Sequence, residues 1–277
     1  MRLLLPLIAV AVLLTPPQIA GAEDLRLDGD VVQGALVYGT TDPNARVLLD
    51  GRPVRVSPAG RFIIGFGRDA PEEARLDVVL PDGRSLERSL RVTQRSYKIQ
   101  RIDGLPAKMV TPPEDVMARI RAEATLIAEA RAADGAEPFF EGGFVWPVTG
   151  IVTGVFGSQR ILNGEPRRPH FGIDIAAPEG TPVKAAAGGE VTVAHTDMYF
   201  TGGTVVLDHG HGLTSAYLHL HEIHVAEGQV VQQGETIATV GSTGRSTGPH
   251  LDWRLNWFDQ RLDPALLVPP MPASGAN

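Results

Sequence analysis

The sequence predicts a mostly β protein with a small N-terminal sandwich of immunoglobulin-like architecture, a connecting amphipathic helix, and a second β region at the C-terminal end. Three observations lead there. Short β-branched runs alternate apolar and polar residues from about Leu25 to Ile99, and again from about Phe144; alternation with a period of two is what a half-buried strand requires. Glycine turn signals separate the runs, among them Asp50-Gly51, Ala59-Gly60 and Asp82-Gly83, and Asp-Gly suits the positive φ angles of a tight hairpin. Only one intervening segment has helical spacing. A chain of 277 residues, 43% of them hydrophobic, suits two domains better than one.

In chain order, Arg2, the apolar run Leu3–Leu14, a proline-containing break and Ala20-Gly21-Ala22 read as a secretory signal peptide over residues 1–22. The apolar run falls short of the roughly 20 residues a membrane span needs, so an uncleaved anchor is the weaker reading, and no membrane span is expected after cleavage. Residues 24–99 form the sandwich; they contain no histidine, and a spacer or binding role is expected of them. Residues 100–140 are a linker with a helix over 112–134. Thr111 is placed to cap it, Pro112 suits its first position, and Glu114 completes a capping box. Val116, Ile120, Ala124, Ile127 and Ala128 recur at helical spacing, and Gly135 is a suitable terminator. Residues 141–269 form the second domain, in runs such as GEVTVAH, GGTVVLDHG, LTSAYLHL and GETIATVG, and 270–277 are a tail.

The charge balance excludes one class of function. Net charge is −7 from 25 basic and 32 acidic residues, with no block of like charge, so the basic footprint of a nucleic-acid binder is missing. Cysteine is absent. Disulfides, thiolate ligands and a lipid-modified cysteine are therefore excluded, and any metal must be held by histidine and carboxylate.

All eight histidines lie between His170 and His250, which puts the chemistry in the second domain. They form three clusters with acidic neighbours. His170 and Asp174, in RPHFGIDIAAPEGTPV, are four apart on a strand-and-loop stretch. His219 and His221, in SAYLHLHEIH, share a face if the strand persists, and His224 follows in the turn. These three histidines are a rival zinc set. In TGPHLDWRLNW, His250 and Asp252 point the same way on a strand, opposite Leu251 and Trp253. Burying an imidazole beside a carboxylate is unfavourable unless something compensates them.

In combination, HFGIDIAAPEGTPV, YLHL and GSTGRSTGPHLDW closely resemble the lysostaphin-type (LytM-like) zinc metallopeptidases, over roughly Phe144 to Pro269. The resemblance implies a compact antiparallel β core with a groove, Zn²⁺ as cofactor, and hydrolysis of peptide bonds in bacterial peptidoglycan outside the cytoplasm, in the periplasm or beyond. It places the first two zinc ligands on His170 and Asp174. His219 and His250 take the catalytic positions, and His195, His209, His211, His221 and His224 are left to structural or solvent roles. The third ligand, a histidine in the family, is Asp252 here. An aspartate binds zinc at about 2.0–2.2 Å, but a His-Asp-Asp set leaves the zinc site formally neutral and its water harder to ionise. Arg254, on the same strand face, could instead pair with Asp252 and hold it from a metal. The alternative within the resemblance is a degenerate scaffold that binds peptidoglycan or activates a cell-wall amidase; the partner is then another cell-wall hydrolase or its regulator.

Overall fold

The computed structural model describes residues 24–102, 114–162 and 164–272. The expected signal peptide, the Thr111 cap and Pro112 lie outside them, as does most of the tail. Among the described residues no helix is long and apolar enough to cross a membrane.

Seven strands come first: β1 (Leu25–Asp28), β2 (Leu36–Thr41), β3 (Arg46–Leu49), β4 (Arg52–Val54), β5 (Arg61–Gly65), β6 (Glu73–Val79) and β7 (Ser85–Arg91). They make two antiparallel sheets, β1-β2-β5 and β4-β3-β6-β7. Asp50 and Gly51, at φ 48° and 80°, make the β3–β4 hairpin, the two-residue turn with both φ positive that matches strand twist. Asp82-Gly83 joins β6 to β7. Ala59-Gly60 makes no hairpin, because β5 leaves β4 and pairs with β2 in the other sheet. β4 lies beside β3, whereas the constant-type immunoglobulin order would put the fourth strand beside the fifth.

A short parallel pairing of β8 (Ile99–Ile102) with β10 (Gln159–Leu162), extended by β11 (Glu165–Pro166), follows. The helix, α1 (Met117–Arg131), is entered through a 3₁₀ turn at Glu114–Val116 and capped by Ala132. It is shorter than the expected 112–134. Its N-cap is Val116 with no side-chain hydrogen bond, and Gly135 lies three residues past the C-cap. The inward residues are Leu126, Ile127 and Ala130; Ala124 and Ala128, expected on that stripe, are exposed. Alanines and isoleucines surround this helix, so spacing alone did not single out the face that tertiary contact selects.

The C-terminal sheet contains β9 (Ile151–Gly154), β12 (Gly172–Ala176), β13 (Pro182–Lys184), β14 (Gly189–Met198), β15 (Gly202–Asp208), β16 (Leu213–Ile223), β17 (Val230–Val231), β18 (Thr236–Val240), β19 (His250–Trp257) and β20 (Gln260–Leu262). Its main order is β17-β14-β15-β16-β19-β12-β9, antiparallel throughout. Alternation divides its faces. Leu251, Trp253, Leu255 and Trp257 of β19 enter a core that continues into the sandwich residues Phe62, Ile64 and Leu76. A Cβ on Gly65 of β5 would stand 2.8 Å from Trp257 Cβ, so the backbone of one region rests on the aromatic floor of the other. The opposite face carries Asp252 and Arg254, with α1 packed on Val193, Met198, Val206, Ala216 and Leu218 beside them.

Candidate metal centre and its two imidazoles

Two adjacent strands bring carboxylates face to face. Asp174 of β12 is the cross-strand partner of Asp252 of β19, an arrangement that is repulsive unless positive charge lies between or beside them. Backbone close approach makes room for both. A Cβ on Gly154 would collide with the Asp174 carboxylate, and one on Gly172 with Asp252. His170, in the loop before β12, completes the set: one ligand atom from each of His170, Asp174 and Asp252 lies within 4.8 Å of the others. Among the described residues this is the one such group of three.

The donor chemistry suits a divalent ion. His170 Nε2 is buried without a hydrogen-bond partner and stands 3.2 Å from Asp174 Oδ1. An orphaned imidazole nitrogen beside two carboxylates is the donor set borderline-soft zinc accepts. Arg254 competes for the same charge. Its Nε donates to Asp252 Oδ1 and Oδ2 at 3.0 Å each, and its Nη2 to Oδ2 at 2.5 Å. Burial pushes the Asp252 carboxyl upward, but the charge and hydrogen bonds of Arg254 outweigh it and hold the group below the ordinary carboxylate value. Each carboxylate oxygen has two acceptor sites, so Oδ1 keeps one after accepting from Nε. The residues therefore fit a metal, with an internal cation already on one ligand.

His219 and His250 stand together beside this group, ring centroids 4.8 Å apart. His219 has a φ of 65° and falls at an irregularity in the β15–β16 pairing, where Gly203 opposes Leu220 and Thr204 opposes Leu218. The extra residue breaks the two-residue alternation, so His219 and His221 part company. His221 is exposed, 3.6 Å from Glu179, and His224 is exposed beside Glu222. The rival three-histidine set is not brought together. His219 Nδ1 donates to the Thr243 carbonyl at 2.8 Å and His250 Nδ1 to the Gly248 carbonyl at 2.8 Å. Each ring thereby keeps the Nε2 lone pair, and His250 Nε2 lies 3.9 Å from Asp174 Oδ1. Burial lowers the His219 pKa and so favours the neutral ring, against the opposing pull of the Thr243 carbonyl.

The remaining histidines are built in elsewhere. His209 is fully buried between the Gly188 carbonyl at 2.6 Å and Ser215 Oγ at 2.7 Å. His211 is buried edge-on to Phe140, and the half-buried His195 accepts from the Asp197 backbone N–H. Sequence reasoning missed Arg131 and Arg261. Burial, then the charges of neighbouring arginines, lowers their pKa values to about 9 and about 10. No spacing signal links them, because they meet only across the packed face.

A peptidase family model matches the part of the chain that carries this group. Residues 168–264 match peptidase family M23, and the C-terminal domain belongs to that family. The chain is 44% identical over 105 residues to the DD-carboxypeptidase/endopeptidase Mpg of Neisseria meningitidis, covering 38% of this chain. It is 35% identical over 153 residues to the cell division protein DipM of Caulobacter vibrioides, covering 52% of this chain. The matches span 24% of the length of each of these relatives. A crystal structure of a candidate M23 peptidase from Pseudomonas aeruginosa aligns over 86% of this chain and 95% of its own, at 29% identity and a TM-score of 0.65.

Proposed function

We propose that the chain is an exported, zinc-dependent endopeptidase that hydrolyses peptide cross-links of bacterial peptidoglycan. The convergence of His170, Asp174 and Asp252 beside two imidazoles with free Nε2 atoms carries this reading. His170 Nε2, Asp174 and Asp252 would hold the metal, which when bound polarises a carbonyl and acidifies water. The protein residues supply proton transfer and orientation. His219 and His250, each fixed by an Nδ1–H bond to a carbonyl, present Nε2 to accept a proton; once protonated, either donates a hydrogen bond to a negatively charged oxygen. Arg254 keeps Asp252 ionised and fixed, but it also withdraws carboxylate charge from the metal.

The domain division proposed with this reading is a signal peptide over 1–22, a sandwich over 24–99, a linker and helix over 100–140, the peptidase domain over 141–269 and a tail over 270–277. Export rests on the sequence of residues 1–22 and makes the periplasm or the exterior the working compartment. Peptidoglycan as substrate is drawn from the peptidoglycan DD-endopeptidase ShyA of Vibrio cholerae, to which the chain is 42% identical over 102 residues.

One observation favours a second reading, a non-catalytic scaffold that binds peptidoglycan or activates another cell-wall hydrolase. Arg254 already neutralises Asp252 through a forked ion pair. Digestion of purified peptidoglycan separates the two. The endopeptidase reading expects cross-linked muropeptides to be cut, the cut to vanish with chelator and return with zinc, and Asp252→His to keep or raise the rate. No cutting by the wild type at any zinc concentration, with amidase stimulation by the same preparation, would replace it by the scaffold.

A further inference from the structure

A cluster of arginines adjoins the candidate metal centre on the same sheet face. Arg254 is paired across strands with Gly172 on one side and Ala216 on the other. Asp252 takes its Nε and Nη2, and among the described residues no hydrogen bond involves its Nη1. Arg261 of β20 is the cross-strand partner of Asn256, two residues along that face from Arg254. Its Nη1 donates to Asn256 Oδ1 at 3.2 Å, and its guanidinium lies over the Phe171 ring at 5.4 Å.

A third arginine comes from the helix. Ile127 packs on the cluster containing Ala216 and Leu218, the strand partners of Arg254 and Asp252. Arg131 follows Ile127 by four residues and so shares its inward stripe. The helix runs from Arg119, which bonds to Asp197 near one end of the β14–β15 pair, toward Gly135, beside Asp208 at the other. That direction carries Arg131 toward the row of Asp208, Thr214, Asn256 and Arg261. Arg131 is half-buried; burial, then the charges of Arg261 and Arg254, lowers its pKa to about 9, with no carboxylate among the causes.

Arg131, Arg254 and Arg261 are each half-buried; like charges held together with part of their hydration removed call for a counter-charge, and Asp252 is shared with the metal group. Planar guanidinium forks match the geometry of an oxyanion. We propose that Arg131, Arg254 and Arg261 form an anion subsite between α1 and the metal centre, which takes a carboxylate of a bound peptide. That the carboxylate belongs to a peptide rests on the peptidase reading; the need for an anion does not.

The test is an NMR titration of the zinc-free full-length protein, following arginine Nε–H resonances. The probes are N-acetyl-alanyl-alanine, the same peptide as its C-terminal amide, and inorganic phosphate. A charged hydrogen-bonding pair predicts that the acid binds at least about tenfold tighter than the amide. Arg131→Gln and Arg261→Gln should each reduce that preference about fivefold or more, with circular dichroism unchanged. Equal binding of acid and amide, or an undiminished preference in both variants, would overturn the subsite. A preference arising only after zinc is added would assign it to the metal and overturn it as well. Tighter binding of phosphate than of the acid would overturn the peptide carboxylate. Zinc uptake, measured on the same samples, reports separately on the peptidase reading.

Discussion

The N-terminal sandwich and the C-terminal sheet are built from the same alternating strands, yet among the described residues only the C-terminal sheet gathers three side chains that could hold a metal. In the sandwich, the two sheets turn their apolar sides to each other, and the outer sides hold solvent-facing pairs such as Arg75–Asp77 and Arg75–Glu87. Such exposed pairs stabilise a fold by little. In the C-terminal sheet the inner side is as apolar as that of the sandwich, but the outer side is half covered by α1. The uncovered part is not surrendered to water. Asp252 is 3% exposed there, and Arg254 and the two carboxylates share a confined space. Charges out of bulk solvent act strongly on one another and on a ligand, so the partial cover, rather than the sheet, separates a face with confined charge from one with solvated charge.

His219→Ala should lower peptidoglycan hydrolysis by about 10²–10⁴ while leaving zinc content unchanged, read by muropeptide release and metal analysis. Loss of metal in this variant would make His219 a ligand instead.

Trp257→Ala asks whether the two regions are energetically one. The indole is 2% exposed and lies against Gly65 of the sandwich. Removing a buried aromatic of this size costs about 3–5 kcal/mol. Denaturant unfolding should show one transition at a lower midpoint. Two resolved transitions, with the sandwich unaffected, would divide the shared core.

His209, buried outside the site, ties the stability of the C-terminal sheet to pH. Burial lowers the His209 pKa to about 4, against the opposing pull of the Gly188 carbonyl, whereas an unfolded histidine titrates near 6.5. Below pH 6.5 the unfolded chain therefore binds the extra proton first, and stability falls as pH falls, by about 3 kcal/mol near pH 4. His209→Gln should remove that part of the slope in urea unfolding between pH 7 and pH 4.5. An unchanged slope would assign it to other groups.

Much of this arrangement was legible in the residues. Alternation and Asp-Gly turns located the strands, and the spacing of His250, Asp252 and Arg254 placed them on one face. The His219–His221 relation was not legible, because a single irregular residue with positive φ undoes the alternation that sequence reasoning assumes. The inward stripe of α1 was hidden for a different reason: apolar residues occur around the helix, and the sheet beneath chooses among them. Arg131 and Arg261, 130 positions apart, meet only through that packing.

The smallest effect concerns the exposed histidines. His221→Ala should change zinc content and hydrolysis by less than about twofold, as expected for an exposed substitution away from special features. A large loss in either would restore the rival ligand set.

His170, Asp174 and Asp252 are proposed to hold zinc despite Arg254. Equilibrium dialysis followed by elemental analysis tests this directly, on wild type, Asp252→Ala and Asp174→Asn. Close to one zinc per wild-type chain is expected, with a severe loss of bound zinc in both variants, each still folded by circular dichroism. Stoichiometric zinc in the wild type with undiminished zinc in Asp252→Ala would contradict it.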